Sequence, residues 1–231
     1  MHAKGVPVPP RFRPNIEIKG GLGKPRRLSC APGLKVMTAS AQSRSASKRD
    51  RLIGLVTDHS LLRGHQIKLV SGAESSFYFN MKPTAFDPEG AALIAELVLD
   101  EVLRDGAELV GGLEMGAVPI VACVAQASFI RGRPIAGFFV RKAAKEHGTR
   151  KIVEGLSEGL SIAGKRALLV EDVTTTGGSV LRAVEAAREA GAEVRTVVTV
   201  VDRLEGAEAN LAKHDLRLIP LTTARDYDMG P

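Results

Sequence analysis

The fold is decided by the stretch Ala167-Leu168-Leu169-Val170-Glu171-Asp172-Val173-Thr174-Thr175-Thr176-Gly177-Gly178-Ser179. Its continuous apolar run reads as a strand covered on both faces, the habit of parallel sheets. Two adjacent acids end the run, and three threonines and two glycines then lead into a helix over Ser179–Ala190, stopped by Gly191. Strand, small-residue turn and helix in immediate succession form one unit of an α/β fold.

The same alternation continues on both sides. Upstream, a strand over Glu108–Gly111 passes through a Gly-rich turn into a helix over Val118–Phe129, and a strand over Ile135–Val140 precedes a long basic loop, Arg141–Gly164. Downstream lie a strand over Val194–Val201, a short helix near Gly206–Lys213 and a strand over Leu216–Leu221. Asp87-Pro88 supplies a capping carboxylate and a first-turn proline for a helix reaching Arg104, ahead of Gly106. Before it, Gln66–Val70 and Ser76–Asn80 flank Ser71-Gly72-Ala73-Glu74, a hairpin pattern, and Lys48–Asp58 carries the apolar spacing of a short helix. The pattern predicts a mainly parallel, twisted sheet flanked by helices, with a small N-terminal appendage. In such sheets ligands bind where the loops gather, at the C-terminal strand ends.

Charge is unevenly distributed along the 231 residues. The overall net is +6, but residues 1–50 hold 11 Lys/Arg against Glu17 and Asp50, whereas residues 51–231 are net −3. The domain itself therefore gives no electrostatic reason to expect nucleic acid as a partner. Residues 1–49, rich in Pro, Gly, Ser and Lys/Arg without an apolar period, read as a disordered basic extension ahead of a domain over 50–231. An acid-poor leader of this kind suits a transit peptide, or an over-extended start with Met37 as the initiator. No run approaches the ~18 apolar residues of a membrane helix. Cys30 and Cys123 are too few for a disulfide framework or a four-cysteine zinc site, as suits a cytoplasmic protein.

The chemistry of the central stretch follows from its residue types. Small residues at a helix N-terminus let backbone N–H groups converge on an anion, and hydroxyls add donors. The acids cannot favour that same anion; they need hydroxyl donors or a hydrated cation beside it. An acid pair next to a phosphate cradle describes a ribose phosphate. A capped strand–turn–helix with no ligand is the plain alternative. The second unusual segment, Arg141-Lys142-Ala143-Ala144-Lys145-Glu146-His147-Gly148, places cations at a strand's C-terminal end on the same sheet edge; an ordinary solvated charge run is its alternative.

The central stretch resembles the motif by which type I phosphoribosyltransferases bind phosphoribosyl pyrophosphate (PRPP). The basic loop resembles the catalytic loop of the orotate phosphoribosyltransferases within that class. The resemblance covers about residues 50–222 and implies the type I phosphoribosyltransferase fold with an N-terminal hood. It implies that Glu171 and Asp172 hold the ribose hydroxyls and that Val173, Thr174, Thr175, Thr176, Gly177, Gly178 and Ser179 cradle the 5′-phosphate. It further implies that Arg141, Lys142, Lys145 and His147 contact the pyrophosphate, with Lys145, His147 and Asp172 closest to catalysis.

Ser71-Gly72-x-x-Ser75-x-x-Tyr78-Phe79-Asn80 looks like the family's hood strand, whose backbone near Tyr78 and Phe79 meets orotate. Gly111-Gly112-Leu113-Glu114-Met115-Gly116 looks like its pyrophosphate loop. Arg203 matches the arginine that receives the orotate carboxylate, with Thr175 also at the base. Val70 and Met115 stand where many relatives carry a basic residue, so those two cationic contacts are missing or supplied elsewhere, with Lys68 and Lys82 as nearby candidates.

The implied reaction joins orotate to the ribose 5-phosphate of PRPP in the synthesis of UMP, a pyrimidine nucleotide, giving orotidine 5′-phosphate and pyrophosphate. The implied cofactor is Mg²⁺, held mainly by PRPP and water with no protein metal site, and the implied assembly is a homodimer sharing the basic loop across its interface. Competing readings are transfer to another base, and a non-catalytic PRPP-sensing regulator. The latter should display a basic domain surface, which the net charge of 51–231 does not favour.

Overall fold

Glycines and alternating apolar residues set the architecture. The computed structural model describes residues 41–68, 74–143 and 152–229. Residues 1–40, residues 69–73 including Val70, and Lys145 and His147 lie outside them. The first helix, α1, is Ala41–His59, so helix begins well before the boundary at 49/50 that composition suggested. Lys48 and Arg49 then meet Glu96 and Asp226 in ion pairs.

An antiparallel hairpin follows, β1 Leu61–Lys68 and β2 Glu74–Phe79, with Leu61 opposite Phe79. It is the expected hood, though β1 starts earlier than its apolar run. A one-turn helix α2, Lys82–Phe86, precedes α3, Pro88–Asp105. The α3 ends are those read from sequence: the Asp87 carboxylate accepts from the Glu89 and Gly90 N–H groups (3.0 and 2.8 Å), and Gly106 closes the helix at φ 70°.

Five parallel strands form the main sheet in the order β4-β3-β7-β8-β9. They are β3 Leu109–Gly112, β4 Ala136–Gly137, β7 Arg166–Thr174, β8 Glu193–Asp202 and β9 Arg217–Thr223, joined through α4 Ala117–Ile130, α5 Gly178–Glu189 and α6 Ala207–Ala212. The run Ile135–Val140 is broken in two. Beyond β4, β5 Phe139–Val140 leaves the sheet and pairs antiparallel with β6 Val153–Glu154, a strand hidden in the supposed loop. Two-residue strands carry too little period to be read from sequence.

Side chains alternate across the sheet. On β7, Leu168 and Val170 join α1, α3 and α4 in one core, while Ala167 and Leu169 join α5 and α6 in the other. All four are fully buried. This explains the unbroken apolar run, and carried two residues further it sends Glu171 and Asp172 to opposite faces.

Close packing at β3 requires glycine. A Cβ on Gly111 would lie 2.3 Å from the ring of Phe138, itself 1% exposed. Gly111→Ala should therefore lower unfolding free energy by about 1–3 kcal/mol through overpacking. Urea denaturation measures this; an unchanged midpoint and slope would show that the ring yields freely.

Candidate functional site

β7 runs on past its acids to Thr174 rather than ending at them. The ladder continues through Glu171, Val173 and Thr174, which pair with Thr199, Val201 and Asp202 of β8. Glu171 is 9% exposed and its Oε2 is buried without a hydrogen-bond partner. Burial, and secondarily the charge of Asp172, push its carboxyl up to about 8. Asp172 is also raised, by burial first, against which its own and the Val173 backbone N–H groups favour the charged form.

Their surroundings differ as the alternation requires. Asp172 packs against the glycine-rich turn after β3: a Cβ on Gly116 would come within 2.6 Å of its carboxyl. Lys82 and Lys142 supply favourable charge at Asp172, whereas Lys142 and Arg182 of α5 do so at Glu171. Lys82, set aside in the sequence as a replacement cation, thus lies near enough to favour the charged form of Asp172. Met115 is 62% exposed in the β3–α4 turn, and Lys68 has no described side chain.

Thr175, Thr176 and Gly177 form the turn into α5, with Gly177 in the left-handed region at φ 79° and buried against Leu211. Thr176, Gly178 and Ser179 are exposed and Thr175 partly so, at the N-terminus of a 12-residue helix. Their N–H groups and hydroxyls can receive an anion. The Asn210 amide fixes the turn by donating to the Thr176 carbonyl at 2.9 Å. Thr174 departs from expectation. It is 2% exposed and its hydroxyl donates to Asp202 Oδ1 at 3.0 Å, which turns that group toward β8 and away from the cradle.

The basic segment is described through Ala143. Its base is tied to the glycine-rich turn: the Lys142 N–H donates to Glu114 Oε1 at 2.8 Å, and the Glu114 N–H to the Val140 carbonyl at 2.9 Å. Lys142 is exposed. Arg141 instead pairs with Glu154 of β6 at 3.7 Å, and its backbone N–H donates to the Ile152 carbonyl. Its guanidinium holds the base of the segment, a contact invisible before β6 was known.

Arg203 continues directly from β8 and is 3% exposed. Its guanidinium stacks on Phe77 of β2, 4.6 Å from the ring centroid, so the hood strand and the main sheet meet there. Glu205 contacts Arg203 Nη2 at 2.7 Å. Neither Phe77 nor Glu205 was singled out from sequence; the alternation of Phe77 with Phe79 on one hairpin face was the available signal for the first. Phe79 is 3% exposed and packs edge-on against Phe77 and Tyr227. Its side chain belongs to the core, leaving its backbone for any ligand. Tyr78, between them, points to the opposite hairpin face and is 37% exposed.

The arrangement offers an acid pair, an anion-receiving helix start and a buried arginine across one loop edge. Each carboxylate can accept hydrogen bonds from the hydroxyls of a ligand. Among the described residues no group of three or more His, Cys, Asp or Glu could hold a metal unaided. No described helix is long and apolar enough to cross a membrane.

Comparison with known proteins agrees on one family. The phosphoribosyl transferase domain model matches residues 85–220. The orotate phosphoribosyltransferase of Bradyrhizobium sp. (strain ORS 278) is 54% identical over 80% of this chain and 99% of its own length. That of Sorangium cellulosum (strain So ce56) is 40% identical over 79% and 94%. The crystal structure of Mycobacterium tuberculosis H37Rv orotate phosphoribosyltransferase in complex with PRPP superposes with a TM-score of 0.65 at 33% identity, covering 79% of this chain and 99% of that one. The adenine phosphoribosyltransferase of Thermoanaerobacter pseudethanolicus, 13% identical with a TM-score of 0.54, shares the fold. Sequence motif, sheet topology and relatives converge: the chain belongs to the orotate phosphoribosyltransferase family and has the type I phosphoribosyltransferase fold.

Proposed function

We propose that this protein transfers ribose 5-phosphate from PRPP to orotate, releasing pyrophosphate and giving orotidine 5′-phosphate for UMP synthesis in the cytoplasm. The observation that carries this reading is the buried arginine at the end of β8, beside the acid pair and phosphate cradle of β7. A carboxylated base is an anion that the Arg203 guanidinium can receive, and an arginine fork suits a carboxylate better than a lysine would.

In this reading the 5′-phosphate sits on the turn Thr175–Ser179, and Glu171 and Asp172 accept hydrogen bonds from the ribose hydroxyls. Orotate lies between the hood strand and the β8 turn, with Arg203 on its carboxylate, Thr175 beside it and backbone near Tyr78 and Phe79 along its edge. That position aims a ring nitrogen at the anomeric carbon. The bond to pyrophosphate breaks as the new C–N bond forms, and orotate needs little general-base help because its ring N–H is acidic. Lys142 and Lys82 face the departing pyrophosphate, with Lys145 and His147 adding charge and a hydrogen bond as water is excluded. Mg²⁺, held mainly by PRPP and water, would further neutralise the leaving group. Arg141 acts through its Glu154 pair as an anchor of the basic segment.

The direct assay offers the protein PRPP and Mg²⁺ separately with orotate, uracil, hypoxanthine and adenine. Orotate alone should be turned over efficiently; use of a purine with orotate inert would end this reading.

The proposed assembly is a homodimer in which the basic segment of each subunit completes its neighbour's site. Lys145→Ala and Asp172→Asn chains, each weakly active alone, should complement when mixed and reassorted. Random pairing makes about half the dimers hybrids with one sound site, so activity should recover to about a quarter of wild type. No recovery after proven subunit exchange would mean that the segment serves its own subunit, leaving one lesion in every site.

A further inference from the structure

The ion pair at the end of β8 is built with more care than a surface contact requires. Asp202, 4% exposed, accepts from the Thr174 hydroxyl at 3.0 Å and from the Leu204 N–H at 3.1 Å, both through Oδ1. The Arg203 N–H donates to the Thr174 carbonyl at 2.9 Å. Leu204 takes the left-handed conformation, φ 62°, which an ordinary side chain rarely adopts. These bonds fold the chain back on itself immediately after the strand. The fold-back delivers the Glu205 carboxylate onto Arg203 Nη2 at 2.7 Å.

The two partners are unequally placed. Arg203 is sealed at 3% exposure, with its Nε buried and its plane stacked on Phe77, so it cannot retract. Glu205 is 38% exposed at the rim, so its own carboxylate can rotate into water once another anion takes its place on Arg203. Because Nε is inaccessible, a carboxylate ligand must approach the Nη1/Nη2 edge, which includes the nitrogen that Glu205 holds. A ligand anion and Glu205 would also repel each other at this distance.

We propose that Glu205 is an internal competitor for Arg203, an anion that the substrate carboxylate displaces, and that it thereby sets affinity for the anionic base. The proposal rests on the orotate-site reading given above. It assigns Glu205 a positioning and affinity-setting role rather than a catalytic one. A base without a carboxylate would leave the Arg203–Glu205 pair in place and gain nothing from its removal. The alternative is a buttress that stays on Arg203 and aims it, and the two roles predict opposite signs.

The test compares wild type, Glu205→Gln, Glu205→Ala and Arg203→Ala in steady-state assays, with uracil as a carboxylate-free inhibitor. Circular dichroism and melting temperature check folding. Competition predicts that both Glu205 variants lower the orotate KM about two- to fivefold, as for a partly exposed ion pair. The PRPP KM and uracil inhibition should stay near wild type, and Arg203→Ala should raise the orotate KM steeply. An orotate KM that is unchanged or raised in the folded Glu205 variants, with Arg203→Ala still impaired, overturns the competitor role alone. An equal change for both substrates would overturn it too. If Arg203→Ala leaves the orotate KM unchanged, the placement of orotate itself is wrong.

Discussion

Two carboxylates at the buried end of a central strand constrain everything around them. A buried acid is tolerable only if it is neutral, hydrogen-bonded or paired with positive charge. Glu171 meets this by holding its proton to about 8, and Asp172 partly through backbone N–H groups and the charges of Lys82 and Lys142. Retaining two such groups side by side opposes stability, which is understandable where a ligand supplies donors or cations. The sheet must carry them to its loop edge, and both faces of β7 must be filled up to that point.

The neighbouring elements follow from that requirement. Alternation along β7 directs Asp172 toward the β3–α4 turn, where Gly116 leaves no room for a Cβ, and Glu171 toward α5 with Arg182. The same turn, through Glu114, fixes the base of the basic segment at Lys142. On the other side, Thr174 passes its carbonyl and hydroxyl to Arg203 and Asp202, so the geometry of β8's end is referred back to β7. The turn into α5 and the buried Arg203 are therefore set by one pair of adjacent strands.

Much of this was legible before the structure. The apolar run Ala167–Val170, the Asp87-Pro88 start and the Gly106 stop are local signals whose physics survives in any context, and they located β7 and α3 closely. What remained hidden depends on contacts distant in sequence or on rare backbone geometry. β5 and β6 are two residues each and exist because they pair with one another. Thr174 looked like a turn hydroxyl because its acceptor, Asp202, lies 28 residues away. The Phe77–Arg203 stack joins the hood to the sheet, and the Glu205 contact needs Leu204 at positive φ, which no leucine advertises.

The central claim is that the acid pair is held ready for a ligand rather than serving the fold. Carbon-13 NMR of glutamate-labelled protein, with Glu171→Gln to assign the signal, follows the Glu171 carboxyl through a pH titration without and with PRPP and Mg²⁺. A raised folded-state value means that the proton is retained below about 8, and that a ligand favouring the carboxylate must release it. The account predicts titration near 8 without ligand and a clear downward shift when PRPP binds. Titration in the ordinary range around 4.3, or a value that PRPP does not move, would contradict it.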